Sequence, residues 1–203
     1  MGLKKNEHKT YVSINGNGKI AQRVTENTPG AVSRTLESGK VIHQMEYDYI
    51  EGRITGMNFY EHKEFGNFLN VIIDDEFVLQ LKSSSRYFYS FCYALPNIDL
   101  TKDVRLNPWR KQDGDKVKQA LYVNQGGKES VAWYFTRDNP NGLPDMVKIK
   151  VKGKETWDDS ARLEWMENYI KDNILPKLGA AVSVSGPDDE GDADDQGGED
   201  LPF

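Results

Sequence analysis

The spacing of apolar residues changes once near the middle of the sequence, and this change constrains the fold more than any other feature. Residues 83–95, SSSRYFYSFCYAL, carry apolar side chains at i, i+3, i+4 and i+7, which is one face of a helix. These side chains are Phe88, Phe91, Cys92 and Leu95. The serine run supplies a helix N-cap and Pro96 a stop. A helix is therefore predicted here, between segments that favour strands.

Strand-forming segments precede this helix. Residues 11–14 and 19–24 flank the turn-rich NGNG and predict a short hairpin. Residues 41–60 are rich in β-branched and aromatic side chains and predict one long strand, bent near Gly52 or Gly56. The next hairpin joins NFLNVII to FVLQLK through Asp74-Asp75-Glu76.

Further strands and a second helix follow. The predicted strands are 103–109, 119–123, 129–137 and 146–152. Thr156 and Asp159 resemble a capping box that opens a helix running to about Pro176. The side chains expected to face inward on it are Leu163, Met166, Ile170 and Ile174.

This order of elements predicts a mainly β fold. Its best match is an OB-fold-like five-stranded barrel with extra N-terminal hairpins, one mid-barrel helix and one C-terminal helix. An SH3-like barrel or a small sandwich would give a similar order. The expected domains are an N-terminal arm of hairpins (1–40), the OB-like domain with its C-terminal helix (41–179), and a disordered acidic tail (180–203).

Charge is divided unevenly along the chain. The net charge of −6 conceals a tail from Asp188 onward with eight acids and neither Lys nor Arg. Residues 1–187 contain 26 basic and 24 acidic side chains, so the body is mildly basic. This asymmetry indicates two different electrostatic partners, or a tail that contacts its own body.

Two basic segments could contact phosphates. The strand MVKIKVK places Lys148, Lys150 and Lys152 on one face about 7 Å apart, near the repeat of an extended phosphate backbone. The alternative is a solvated edge strand protected from aggregation by lysines. The segment 102–118 has a net charge of +3 and brings Trp109 next to Arg110 and Lys111, with Arg105 nearby.

Aromatic side chains near these cations could stack on bases. Trp109 either stacks on a base or covers the barrel mouth as packing. A hairpin with a turn at Gly126-Gly127 would carry Tyr122, Trp133 and Tyr134, and its register leaves open which rings reach solvent. Phe59, Tyr60 and Lys63 repeat the aromatic-plus-basic pattern at another loop.

The sequence shows no sign of an enzyme. Asp74-Asp75-Glu76 fits a hairpin turn, and the three histidines lack the spacing of metal ligands. Neither a phosphate-binding loop nor a nucleophile elbow is present, so no catalytic residue, metal or cofactor is expected. The N-terminus lacks a secretory h-region, no apolar run is long enough to span a membrane, and Cys92 is the only cysteine. We therefore expect a cytoplasmic protein without a membrane partner.

The chain ends in an acidic run followed by three apolar residues. The terminal residues are Glu199, Asp200, Leu201, Pro202 and Phe203. A flexible acidic segment with an apolar, proline-stiffened end is typical of a short linear motif that enters an apolar pocket with a basic rim. This terminus resembles the C-terminal tip of bacterial single-stranded-DNA-binding proteins, which end in acids followed by Ile-Pro-Phe. Several phage counterparts also end in acids and a terminal Phe.

The resemblance covers about the last sixteen residues and implies the following. The body is an OB fold that binds single-stranded DNA, without sequence preference, through aromatic and basic residues during replication and recombination. The tip recruits replication, recombination and repair proteins. About 40 extra residues before the main strands favour a phage-encoded member acting in the host cytoplasm, so a homo-oligomer is allowed but the bacterial tetramer is not assumed. The alternative function is an acidic-tailed chaperone or phage assembly scaffold that binds protein.

Overall fold

A computed structural model describes residues 9–36, 38–127, 130–151 and 153–179. Strands dominate these residues, accompanied by two α-helices and two short 3-10 segments. The first seven strands are β1 (Thr10–Ile14), β2 (Ile20–Val24), β3 (Val32–Thr35), β4 (Val41–Tyr47), β5 (Ile50–His62), β6 (Gly66–Ile73) and β7 (Phe77–Lys82). The later elements are α1 (Arg86–Ala94), β8 (Asp103–Asp113), β9 (Lys116–Asn124), β10 (Val147–Val151), β11 (Lys154–Asp158) and α2 (Ser160–Asn173). The fold is mainly β, as the sequence predicted.

Nine of the described strands form one open, mixed sheet. Their order is β3-β4-β2-β1-β7-β6-β5-β8-β9. All neighbours are antiparallel except β1 and β7, which are parallel, with Val12 opposite Leu79. The expected closed barrel of five strands is not found in the described residues. The predicted N-terminal arm contributes strands to the interior of this sheet, because β1 pairs with β7 and β2 with β4.

Both helices bury apolar side chains in the same core cluster as the strands. Ser85 caps α1, since its hydroxyl accepts a hydrogen bond from the Phe88 amide at 3.2 Å. Phe88, Phe91 and Cys92 are buried on the predicted helix face. Met166, Ile170 and Ile174 of α2 are buried in the same core cluster, and Leu163 packs against it. The inward faces of both helices are therefore confirmed.

The segment 41–60 is two strands, where the sequence predicted one. β4 ends at Tyr47 and β5 begins at Ile50. The chain changes partners between them, because β4 pairs with β2 whereas β5 pairs with β6 and β8. A β-bulge does lie between Ile54 and Gly56, near the predicted bend.

Residues 129–137 do not form the predicted strand. In the described part of this segment, pairing with β9 is limited to one bridge between Asn124 and Ser130. The amides of Tyr134 and Phe135 instead donate to the Tyr93 carbonyl of α1, at 2.7 and 3.5 Å. Burial of the Phe135 ring among the aromatic residues of both helices explains this course.

The predicted capping box is also wrong. Thr156 lies in β11 opposite Ile149, and α2 begins only at Ser160. Asp159 precedes the helix without capping it, because its carboxylate accepts a hydrogen bond from the Tyr89 hydroxyl at 2.5 Å. β10 and β11 pair only with each other and form a separate two-stranded ribbon.

Candidate nucleic-acid interface

The face of β5, β8 and β9 that points away from the core gathers aromatic and basic side chains. The core side of β8 and β9 carries the buried residues Val104, Leu106, Leu121 and Val123. Side chains alternate along a strand, and paired residues point to the same side, so their neighbours lie on the opposite face. We call this surface the β8–β9 face; its residues are Tyr49, Glu51, Arg53, Asp103, Arg105, Asn107, Trp109, Lys111, Asp113, Lys116, Lys118, Ala120, Tyr122 and Asn124.

Trp109 and Tyr122 form the aromatic centre of this face. Their ring centroids are 6.2 Å apart with planes at 65°. Trp109 retains 38% and Tyr122 36% of its surface exposed, although both lie within paired strands. The register explains their proximity, since Trp109 is opposite Ala120 and Tyr122 is two residues further along β9. The small Ala120 side chain leaves the Trp109 ring without a bulky neighbour directly across the strand pair.

Arg105 is held in place at one end of the face. Its guanidinium lies 4.2 Å from the centroid of the Tyr49 ring, and its Nε and Nη2 atoms are each 2.7 Å from Glu51 Oε2. The Tyr49 ring is also exposed. A cation stacked on an exposed ring and oriented by a carboxylate is a rigid donor for a phosphate oxygen.

The other end of the face is cationic. Lys111 of β8 is directly opposite Lys118 of β9. Like charges across a strand pair repel each other, so an anion placed between them would be stabilising. Asp113 relieves part of this repulsion, since its carboxylate is 2.6 Å from the Lys118 ammonium. That ion pair also lowers the pKa of the Asp113 carboxyl.

Arg110 is separated from this surface. It alternates with Trp109 and faces the hairpin turn between β1 and β2, where a Cβ on Gly18 would lie 2.7 Å from the Arg110 Cβ. Burial raises the pKa of the Tyr87 hydroxyl to about 12, and the positive charge of Arg110 offsets part of this rise. Arg110 therefore lies against the turn between β1 and β2, on the opposite face of β8 from Trp109.

The predicted loop site near residue 60 is divided between two faces. Phe59 points inward, packs against the core, and lies 5.7 Å from the Lys171 ammonium of α2. Tyr60 points outward on the opposite side of β5, opposite Phe68. Lys63 is exposed in the turn that follows β5. Only Tyr60 and Lys63 are therefore placed on an outward surface.

Trp133 and Tyr134 lie beyond the edge of β9, away from the predicted hairpin. Trp133 is exposed and meets the Tyr93 ring edge-on at 5.9 Å. Tyr134 is also exposed and contacts Phe135 at 4.9 Å. These rings border the aromatic cluster between α1 and α2, and they are not neighbours of Trp109 and Tyr122.

The lysines of β10 lie on the separate ribbon. Lys148 and Lys150 share one ribbon face with Trp157 and Glu155, because they are directly opposite these residues. The Lys148 ammonium lies 5.2 Å from the Trp157 ring centroid and 3.8 Å from a Glu155 carboxylate oxygen. Lys152 is outside the described residues, as is the whole partner-binding tip from Glu199 to Phe203.

Several residues of these surfaces were not predicted as site residues, among them Tyr49, Lys118 and Trp157. Tyr49 was assigned to the interior of one long strand, Lys118 lacked a known partner on β8, and Trp157 was assigned to a helix start. Alternation along ETW would have placed Trp157 on the lysine side of a ribbon, once β11 was recognised as a strand. Tyr49 and Lys118 could be placed only with the register of β5, β8 and β9.

The described residues offer little for other chemistry. They contain no cluster of three or more His, Cys, Asp or Glu side chains able to hold a metal ion. Cys92 is buried, and burial raises the pKa of its thiol. No α-helix in this part of the chain is both long and apolar enough to cross a membrane.

Comparisons with protein-family models, with curated proteins and with solved structures find no match to this chain.

Proposed function

We propose that this protein binds single-stranded DNA without sequence preference through the β8–β9 face, and protects it during replication or recombination. The observation that carries the proposal is the exposed Trp109–Tyr122 pair, flanked by Arg105 on one side and by Lys111 and Lys118 on the other. Aromatic rings stack on any base, and cations contact any phosphate, so this combination suits unpaired strands of any sequence.

The spacing of the face supports the proposal. Alternate residues on a strand are about 7 Å apart, so the row Arg105, Asn107, Trp109 and Lys111 extends over about 20 Å. A single strand lying along β8 would therefore meet Arg105, then the Trp109 ring about 14 Å further on, and Lys111 about 7 Å beyond it, which is about two repeats and one repeat of an extended phosphate backbone. Tyr122 adds a second ring beside the same path.

We also propose that β5 to β9 form a partly open OB-type unit. In chain order they give three antiparallel strands, α1 and a hairpin, and their spatial order is β7-β6-β5-β8-β9. An OB fold likewise pairs its first strand with the second and the fourth and carries its helix after the third. The difference is at β7, whose free side pairs with β1 and not with β9.

The acidic tail would have two roles in this function. Its eight carboxylates resemble a run of phosphates and would compete with DNA for the basic face. Once DNA displaces the tail, Leu201, Pro202 and Phe203 would recruit proteins of replication, recombination or repair. The proposed function needs no cofactor and no catalytic step.

A titration of tryptophan fluorescence with oligo-dT tests the binding proposal. We expect quenching that weakens steeply with salt, and no comparable binding to duplex DNA. Trp109→Ala should weaken binding by the loss of one stack, about 1–3 kcal/mol, or roughly 5- to 150-fold. Trp133→Ala is the matched control and should leave the affinity unchanged, since Trp133 lies away from this face.

Several outcomes would contradict the proposal. Equal affinity of the native chain and the Trp109→Ala variant would remove the β8–β9 face from the binding site. Absence of any binding to oligo-dT at low salt, even with residues 188–203 deleted, would exclude a single-strand function and favour the protein-binding alternative. An RNA oligonucleotide of the same length, run in parallel, measures the preference for DNA.

A further inference from the structure

The ribbon of β10 and β11 exposes apolar side chains on the face opposite its lysines. Val147, Ile149 and Val151 retain 59%, 37% and 48% of their surface exposed. They point to the same side, because they alternate with Lys148 and Lys150 along β10. Three neighbouring β-branched side chains are therefore exposed to water on one face. Covering this face would lower the free energy of the protein.

The ribbon has little support from the rest of the described chain. β10 and β11 pair with each other and with no strand of the nine-stranded sheet. An isolated two-stranded hairpin is marginally stable in water, so covering its apolar face would also stabilise its pairing. The surface is therefore more than a scatter of exposed apolar residues.

The charges at the two ends of this face indicate what covers it. Val151 is opposite Lys154 at the turn end, and Val147 is opposite Asp158 at the other end, with Ile149 opposite Thr156 midway. Two such ribbons can be placed with these faces in contact and their strands running in opposite directions. Lys154 of each ribbon then meets Asp158 of the other, and the two Ile149 side chains meet at the centre. The face is thus complementary to itself under a two-fold rotation.

We propose that the apolar face of the ribbon joins two copies of this chain, face to face and antiparallel, centred on Ile149. The contact is one ribbon face of three residue pairs, which is smaller than the roughly 800 Å² per partner of a standard interface. We therefore expect weak self-association, on the order of tens of micromolar. The lysine and Trp157 faces of both ribbons stay on the outside of the pair.

Sedimentation equilibrium of the full chain over a range of concentrations tests this proposal. The native chain should show a monomer–dimer equilibrium, and Ile149→Gln should weaken it at least about tenfold because it alters both halves of the contact. Lys150→Gln changes the adjacent residue on the opposite face and should leave the dimer intact. Equal dimerisation by the Ile149→Gln and native chains would overturn the proposal, as would a native chain that stays monomeric at millimolar concentration.

A charge exchange is a second test of the antiparallel arrangement. Asp158 Oδ1 also accepts hydrogen bonds from the Ser160 amide and hydroxyl at the start of α2, so circular dichroism checks that each variant is folded. Lys154→Asp alone and Asp158→Lys alone should each be monomeric, because like charges then meet at both ends of the contact. An equimolar mixture of the two variants should dimerise, since each end again brings opposite charges together. A mixture that stays monomeric would contradict the antiparallel arrangement.

An Ile149→Gln variant that loses oligo-dT affinity while its self-association is unchanged would assign the face to DNA. Neither result depends on whether the Trp109 variant binds DNA.

Discussion

At the residue scale, Gly52 and Gly18 permit two close approaches that a side chain would prevent. Gly52 has a φ of 153°, and a Cβ there would lie 2.1 Å from Asp74 Oδ2. The Asp74 carboxylate needs this space, because it accepts a hydrogen bond from the Arg53 amide at 2.8 Å. Gly18, with a φ of 74°, lets the first hairpin turn contact both Arg110 and the Tyr87 hydroxyl. The two glycines thus fix how the turns dock on β5 and β8.

Gly52→Ala should destabilise the fold by about 2 kcal/mol or more, because it adds an unfavourable backbone conformation and displaces the Asp74 carboxylate. Urea denaturation measures the change in the free energy of unfolding. Gly114→Ala is the control: its φ is 61°, but no atom lies within 4 Å of the added Cβ. It should cost about 1 kcal/mol, the backbone part alone. Equal losses for both variants would show that the Asp74 contact is unimportant.

Tyr87→Phe should stabilise the protein by about 1 kcal/mol at pH 7. The Tyr87 hydroxyl is buried and has no hydrogen-bond partner among the described residues, so its removal recovers a dehydration cost while the ring stays packed. Chemical denaturation of both proteins tests this. Tyr49→Phe, which changes an exposed ring, should have no effect.

The same hydroxyl predicts a pH dependence. Burial raises the pKa of Tyr87 to about 12 from the usual 10.0, so the unfolded chain loses this proton first. Titration of Tyr87 therefore leaves the free energy of unfolding unchanged below pH 10 and lowers it as the pH rises toward 12. Between pH 9 and 11, the native protein should therefore lose more stability than Tyr87→Phe does. Parallel losses would show that Tyr87 titrates normally in the fold.

At the element scale, α1 is joined to β9 by a buried hydroxyl. Ser90 Oγ donates to the Arg86 carbonyl within the helix at 2.8 Å and accepts from the Leu121 amide at 2.7 Å. Since β9 is the last strand of the sheet, its outward amides lack a neighbouring strand. Ser90 satisfies one of these amides and fixes the helix against the strand that carries Tyr122.

Ser90→Ala should cost about 1–3 kcal/mol, because the Leu121 amide would be left buried without a partner. Hydrogen exchange should show faster exchange at Leu121 in particular, and thermal denaturation should show a lower Tm. Ser84→Ala provides the comparison, since Ser84 is exposed beside the same helix. A Ser90→Ala protein with unchanged stability and unchanged exchange at Leu121 would contradict this role.

Local patterns predicted most of the elements, but not how they pair. The spacing of Phe88, Phe91 and Cys92 placed α1 correctly, and the turn Asp74-Asp75-Glu76 placed the β6–β7 hairpin. Residues 129–137 have strand composition, yet contacts of Phe135 with both helices override it. Trp109 could be identified as a candidate from its neighbours in sequence, whereas its partner Tyr122 depended on a register that no local pattern contains.

At the scale of the whole molecule, the separation of a basic body from an acidic tail matters more for binding than the net charge of −6. On the proposed function, the mildly basic body and the tail of eight acids would attract each other as well as their separate partners. The attraction is electrostatic, so it weakens as salt shortens the screening length. DNA binding is therefore expected to depend on the tail most strongly in dilute buffer.

Deletion of residues 188–203 should raise the affinity for oligo-dT several-fold at low salt, because the competing carboxylates are removed. The gain should vanish as salt increases, and titrations at a series of salt concentrations would measure it. Deletion of residues 201–203 alone keeps every acidic side chain, so it should leave the affinity nearly unchanged while abolishing partner recruitment. An affinity that is the same with and without residues 188–203 at low salt would rule out self-competition.

The parallel pairing of β1 with β7 has a consequence for biosynthesis. β1 is synthesised before β7, and more than sixty residues separate the two strands. β1 can therefore form this pairing only after β7 has been made. Until β7 is made, the edge of β1 that pairs with it presents an uncovered row of amides and carbonyls. The nascent chain is thus most prone to misassociation in this interval, which ends when β7 pairs with β1.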